Sequence, residues 1–165
     1  MDTIEGSERV DEMGTIQQAG LARGYTLGLL KKANEGAWDT LPEGFSNTIR
    51  WNAGHIYVSA EHFLSQALNE YEPDHSEWFP FFATGSSPST WQGTPPSADE
   101  LVTALKAQGK RISQVEEGKL GQVLETPLSI GKLLTMETVD DVIQFNTWHE
   151  GIHAGLIDGL VRASR

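Results

Sequence analysis

The longest helical pattern in the chain carries two histidines in its apolar stripe. At about 100° per residue, the stretch from about Met136 to Ala163 is an amphipathic helix, capped by Thr135 or Thr138. A helix of this length must bury its stripe against other elements, which favours a helical bundle. The residues predicted to share the centre of the buried face are Val142, His149, His153, Leu156 and Leu160.

Two imidazoles four residues apart lie one above the other on a helix, so both can reach one cation. A neutral imidazole in a core needs partners for both ring nitrogens, because an unpaired buried polar group is destabilising. His149 and His153 therefore indicate either a metal site or an unusual hydrogen-bond network, and we favour the metal. With His55 as third ligand, a divalent metal would keep one position open, as in catalytic sites.

His55 belongs to a second predicted helix, which runs from an N-cap at Asn47 or Thr48 to about Asn69. It lies off the centre of that helix's apolar stripe and would reach the metal from the flank. His62 is two turns further on, roughly 10 Å along the axis, too far to share the ion. The neighbours predicted to orient a ligand ring or to line a pocket are Trp51, Asn52 and Asn146.

The first helix is predicted over about Val10 to Asn34, although several glycines weaken it. Gly20, Gly24 and Gly28 share one stripe, which indicates either a tight helix contact or dimer face, or a frayed segment.

The third helix is predicted from Ser97 to about Glu117, with Glu100 completing a capping box.

Before the third helix, residues 71–96 hold five prolines and many aromatics, which predicts an ordered strap. The strap either walls a pocket or only covers the core, and His75 within it is predicted to be solvated. Residues 118–134 are read as a plain connection, and no segment shows the alternation of a strand. The fold class is therefore all-α, a four-helix bundle with a long helix 2–helix 3 crossover.

Bulk composition limits the classes of partner. A net charge of −11 argues against nucleic acid and anionic membrane surfaces, which need a basic face. No apolar run is long enough to span a bilayer, and the N-terminus lacks the pattern of a secretory signal, so we expect a cytoplasmic protein. There is no cysteine, which excludes disulfides and thiolate ligands. We expect one domain over residues 1–165, of which about 1–11 could be disordered.

His149-Glu150-Gly151-Ile152-His153 also reads as the H-E-x-x-H pattern of zinc proteases, in which the glutamate is the base. The residues after His153 include no histidine or glutamate as third ligand, which argues against a protease. Glu150 is a weak candidate for a base, and we favour a surface-edge carboxylate.

The run Asn47–Ile56 (NTIRWNAGHI) resembles the Trp-x-x-Gly-His signature of the DinB/YfiT-like superfamily, and His149–Ile157 (HEGIHAGLI) resembles its His-x-x-x-His-x-Gly segment. The Pro-Pro-Ser-x-x-Glu-Leu entry to the third helix is similar too. This resemblance implies a four-helix bundle, commonly dimeric, with zinc or nickel on three histidines that map to His55, His149 and His153. It also implies relatives that are bacillithiol or mycothiol transferases or a thiol-dependent isomerase. Leu156 departs from the glutamine that often follows the last glycine.

These observations predict a metalloenzyme with zinc or nickel on three histidines, acting as a thiol-dependent S-transferase or hydrolase. Its partners would be a small-molecule electrophile, a low-molecular-weight thiol and a second copy of the chain. The alternative is a non-catalytic bundle that binds metal or a ligand as a sensor or for stability.

Overall fold

The computed structural model describes residues 14–165, so the disorder predicted for about 1–11 lies outside the described residues. Helices make up most of this part of the chain, as predicted. The helices are α1 Thr15–Lys32, α2 Ile49–Ala67, α3 Phe79–Phe82, α4 Ala98–Ser113, α5 Glu117–Leu120 and α6 Val139–Ala163, and the strands are β1 Val123–Ile130 and β2 Leu134–Thr138.

The long helices after α1 begin at side-chain caps that satisfy their first backbone N–H groups. The Thr48 side chain accepts from Trp51 N at the start of α2. Ser97 and Glu100 form the predicted capping box at α4, although α4 ends at Ser113, short of the predicted Glu117. Thr138 caps α6, so the second of the two threonines offered by the sequence is the cap.

The four long helices enclose the core. α1 packs against α6 and α4, and α2 packs against α6 and α4. Each of α1 and α2 therefore has the same two long helices as neighbours. α2 lies deepest, since nearly every residue from Ile49 to Val58 is buried.

Residues 71–96 are ordered, as predicted, and are built from α3 and single 3-10 turns. Trp78 and Phe82 from this strap are buried in the same core cluster as Ile157 and Leu160 of α6. His75 is only half-exposed, because its ring stacks on Trp78 at 3.9 Å between centroids.

The prediction of a plain connection over 118–134 is wrong, because β1 and β2 form an antiparallel hairpin. Leu128 pairs with Met136 and Ile130 with Leu134. Most β1 side chains are exposed and only Leu124 is buried, so no apolar alternation marks the strand. Met136, predicted as the start of the last helix, is instead a fully buried strand residue.

The glycine stripe of α1 is part of a continuous helix, so the frayed alternative does not hold for Thr15–Lys32. A Cβ added at Gly20, Gly24 or Gly28 would meet nothing within 4 Å, so no other part of the described chain approaches the stripe closely. A dimer face there stays a prediction.

Among the described helices, none is both long and apolar enough to cross a bilayer.

Candidate metal centre

Three imidazoles converge between α2 and α6. His55, His149 and His153 each offer a ring nitrogen, and these nitrogens all lie within 4.8 Å of one another. The ring centroids are separated by 5.0 Å for His55 and His149, 4.7 Å for His55 and His153, and 4.6 Å for His149 and His153. The structure therefore brings together the three histidines that the sequence predicted as ligands.

The strap orients His55. Nδ1 of His55 lies 2.7 Å from the carbonyl oxygen of Phe82. A carbonyl can only accept, so Nδ1 carries the proton and Nε2 keeps its lone pair for a cation. The nearest hydrogen-bond contact of Nε2 is the hydroxyl of Ser59 at 3.5 Å, a long and weak one.

Gly54 makes this arrangement possible. A Cβ at position 54 would lie 2.4 Å from the ring atoms Cδ1 and Cγ of Phe82, which is closer than any real contact. The glycine therefore lets the Phe82 ring lie directly on the helix and brings its carbonyl to His55. A glycine inside a buried helical run is the sequence signal for this close approach.

Asn52 orients His153 in the same way. Nδ2 of Asn52 donates to the carbonyl of Thr48 at 2.8 Å, which turns Oδ1 toward the histidine. That Oδ1 lies 2.8 Å from Nδ1 of His153, so Nδ1 donates and Nε2 is left with its lone pair. Asn52 therefore links the start of α2 to the His153 ring.

Trp51 lies against His55. Its ring stacks on His55, with centroids 4.6 Å apart and planes 12° from parallel. The indole Nε1 donates to Ser86 of the strap at 3.0 Å, which holds the ring in place. The His149 ring is stacked on the Phe145 ring, and their centroids are 6.0 Å apart.

All three rings are held neutral. Burial lowers the pKa of His149 to about 4, with a smaller contribution from the His55 charge. Burial, then the charges of His149 and His55, lowers the pKa of His153 to about 3. Burial also lowers the pKa of His55, partly opposed by its bond to Phe82. Neutral imidazoles are the form that binds metal.

The prediction that the histidines occupy the centre of the buried face of α6 is wrong. His149 and His153 are half-buried, and Leu156 is 42% exposed. The centre is formed by Ile143, Asn146, Glu150, Ala154 and Ile157. Since α6 packs on both α1 and α2, its buried face is wide, and the histidines lie at the edge beside α2.

Glu150 is not a surface-edge carboxylate. It is 7% exposed, and its two oxygens accept from Nε and Nη2 of Arg23 at 2.8 and 3.1 Å. Arg23 also donates to the Leu105 carbonyl and to Gln108, so the pair is satisfied on several sides. This ion pair binds α1, α4 and α6 together in the core.

Asn146 lies on the core side of α6 with Glu150. It is 9% exposed, and neither its Oδ1 nor its Nδ2 has a hydrogen-bond partner among the described residues. It borders a small cavity with Arg23 and Glu150. That Asn146 orients a ligand ring or lines a pocket stays a prediction.

His62 is exposed and His75 is paired with Glu77, and neither joins the triad. Three imidazoles with converging nitrogens, suppressed protonation and, for two of them, a fixed Nδ1 proton form a donor set that can hold a divalent cation. Such sets suit zinc and nickel alike.

Residues 18–157 match the sequence pattern that defines the DinB superfamily, a range that includes both histidine blocks. A crystal structure of a conserved protein from Enterococcus faecalis is similar with a TM-score of 0.58 and 18% sequence identity, and the match covers 90% of this chain and 95% of that chain. At that identity the likeness shows a shared fold alone. None of the curated proteins is similar enough in sequence to match.

Proposed function

The chain belongs to the DinB superfamily, and on that premise we propose that it is a metal-dependent enzyme whose zinc or nickel ion is held by His55, His149 and His153. The proposed reaction class is a thiol-dependent S-transfer or a hydrolysis on a small electrophile. The observation that carries the proposal is the convergence of three neutral imidazoles within 4.8 Å.

Three ligands come from the described residues, which leaves room for a substrate or water. A divalent cation bound there would lower the pKa of a coordinating thiol or water and so supply a nucleophile at neutral pH. The sequence contains no cysteine, so a thiolate must come from a small molecule.

The chain's own residues prepare the site for this chemistry. Asn52 and the carbonyl of Phe82 keep Nδ1 of their histidines protonated and the opposite nitrogens available. Trp51 covers one face of His55 and excludes water from it. We give no base role to Glu150, because Arg23 binds both of its oxygens in the core.

We also propose that the protein forms a homodimer in the cytoplasm. The open glycine stripe of α1 lies beside Leu21 and Tyr25, which are 63% and 55% exposed, so this helix offers a partly apolar surface to a second copy. Sedimentation of the parent and of Leu21→Glu tests this, since a dimer through α1 should dissociate in the variant.

Elemental analysis of the purified protein tests the metal site. The parent should carry close to one divalent ion per chain, and His55→Ala and His153→Ala should lose it. His62→Ala is the matched control, because this histidine is exposed and lies outside the triad. Full metal occupancy in both triad variants would show that the site is wrong.

A screen of small electrophiles with cellular thiols tests the reaction class. Turnover that disappears on chelation and in His153→Ala supports the enzyme. Unfolding on chelation without any turnover would favour the alternative, a bundle that uses metal for stability or sensing.

A further inference from the structure

The hydroxyl of Ser59 faces the triad. Ser59 is half-buried and lies one turn after His55 on α2. Its Oγ is 3.5 Å from Nε2 of His55, the ring nitrogen that keeps its lone pair because Nδ1 donates to the Phe82 carbonyl. Among the described residues, this nitrogen is the only hydrogen-bond partner of the hydroxyl. The bond is long and weak, so the hydroxyl can readily exchange it for a better one.

Several other serine and threonine hydroxyls in the long helices bond the backbone of their own helix. Ser65 of α2 donates to the His62 carbonyl at 2.8 Å, and Thr147 of α6 donates to the Ile143 carbonyl at 2.9 Å. A carbonyl three or four residues back is the usual acceptor for such a side chain. Ser59 makes no such bond among the described residues, and its hydroxyl is directed toward the imidazole instead.

Ser59 lies on the side of α2 that faces α6. Residues four apart share one face of a helix, so Ser59 has His55 on one side and Phe63 on the other. The His55 ring meets His149 of α6, with centroids 5.0 Å apart, and the Phe63 ring meets Phe145 of α6, with centroids 5.1 Å apart. The hydroxyl is therefore a polar group between the imidazoles and a pair of phenyl rings.

A cation on the triad would remove the acceptor of this hydroxyl. Nε2 of His55 has one lone pair, and a cation would take it. A half-buried O–H beside aromatic rings is unfavourable without an acceptor, so the hydroxyl needs another one. The group that completes the coordination of the cation can supply it.

The charge of the site selects the kind of acceptor. The three imidazoles are neutral ligands, so a divalent cation would keep its full positive charge and attract an anion to the open position. A thiolate is such an anion. A hydrogen bond to a charged acceptor is also stronger than one between neutral groups.

We propose that Ser59 binds the thiolate of the small-molecule thiol, with its hydroxyl donating a hydrogen bond to the sulfur. This rests on the proposed function, because it requires a cation on the triad and a thiol beside it. In the metal-free protein the His55 ring already holds the donor at the triad. Ser59 is thus a thiol-binding residue next to the three metal ligands.

Cobalt(II) and ethanethiol are the probes. The full-length protein is stripped with a chelator, loaded with cobalt(II) and titrated with ethanethiol, which has no polar atom besides its sulfur. The sulfur-to-cobalt charge-transfer absorption reports binding of the thiolate. 1-Methylimidazole is the matched ligand, because it coordinates through nitrogen and then has no acceptor left for a hydrogen bond. Its binding is followed by the visible cobalt bands, and the cobalt content of each sample is measured by elemental analysis.

Ser59→Ala should bind ethanethiol roughly ten-fold more weakly than the parent, the lower end of what a hydrogen bond to a charged group contributes. It should keep the parental cobalt content and the parental affinity for 1-methylimidazole. The variant should fold, because alanine favours a helix more than serine does. Ser65→Ala is the control, since that hydroxyl bonds the backbone of the same helix, and it should bind both ligands like the parent.

Equal ethanethiol affinity in Ser59→Ala and the parent, with cobalt bound in both, would overturn the role of Ser59 and leave the metal site intact. An equal weakening of ethanethiol and 1-methylimidazole, or a loss of cobalt from Ser59→Ala, would also overturn it, because either result shows a disturbed cobalt site and not a lost hydrogen bond. A parent protein that takes up no cobalt at the triad would overturn the proposed function and the role of Ser59 together.

Discussion

Oδ1 of Asn52 lies 2.8 Å from Nδ1 of His153, across the contact between α2 and α6. Because the same amide donates to the Thr48 carbonyl, its orientation is set by the backbone at the start of α2. The N-cap residue of α2 therefore acts through Asn52 to fix which ring nitrogen of His153, on α6, carries the proton. The triad depends on the packing of these two helices as much as on its own residues.

Asn52→Leu should lower metal affinity about 10- to 100-fold, the usual effect of removing a group that orients a ligand histidine. Competition with a chelator of known affinity measures it. Asn52→Asp keeps an acceptor for His153 and should retain most of the affinity, and Asn69→Leu should have no effect. Equal affinity in Asn52→Leu and parent would show that this hydrogen bond does not support the site.

Gly54→Ala should destabilise the protein by about 1–3 kcal/mol, because the new methyl group overlaps the fully buried Phe82 ring. It should also weaken metal binding, since moving Phe82 takes its carbonyl away from His55. Urea unfolding and chelator competition report the two effects. Gly155→Ala is the control, because a Cβ there meets nothing within 4 Å, so stability should be equal or higher. A Gly54→Ala protein with parental stability would mean that the strap adjusts freely.

Local signals predicted the four long helices and the grouping of the three histidines, although not every helix boundary. Ser97 with Glu100 predicted one helix start, and Asn47 or Thr48 before an apolar run predicted another; the structure has the caps at Ser97 and Thr48. The i, i+4 spacing of His149 and His153 predicted that their rings would lie side by side, and in the structure their ring centroids are 4.6 Å apart.

The contacts that each helix makes with other elements could not be predicted from such local patterns. A helical wheel places Glu150 at the edge of a stripe, but only the packing of α1 brings Arg23 to it and makes it a core residue. The carbonyl of Phe82 has no side-chain signature, so the sequence did not predict its contact with His55. β1 is mostly exposed, so burial leaves no alternating pattern in its sequence.

The metal-free protein should lose stability as the pH falls from neutral toward 5. In the unfolded chain the histidines take up protons near the ordinary pKa of 6.5, whereas the folded pKa of His149 is about 4 and that of His153 about 3. Their stabilising contribution is therefore complete above pH 6.5 and is lost as the pH falls toward the folded pKa values. Urea midpoints in chelator between pH 7.5 and 5 measure this, at pH values where few carboxylates titrate. A double variant, His149→Gln with His153→Gln, should show a shallower dependence. An identical slope would mean that these rings are not kept neutral by the fold.

Arg23→Met should destabilise the protein by about 3–5 kcal/mol, because it leaves the charge of Glu150 buried and unpaired. Replacing both partners, Arg23→Met with Glu150→Leu, should recover most of that loss, since it removes the uncompensated charge. Arg162→Met, which breaks an exposed pair with Asp158, is the control and should cost no more than about 0.5 kcal/mol. All three proteins should keep the parental metal content when folded, because the pair lies in the core and not in the triad. Urea unfolding measures the stability of each variant, and elemental analysis measures its metal content. A double variant that is stable but loses its metal or its turnover would show that Glu150 takes part in the chemistry.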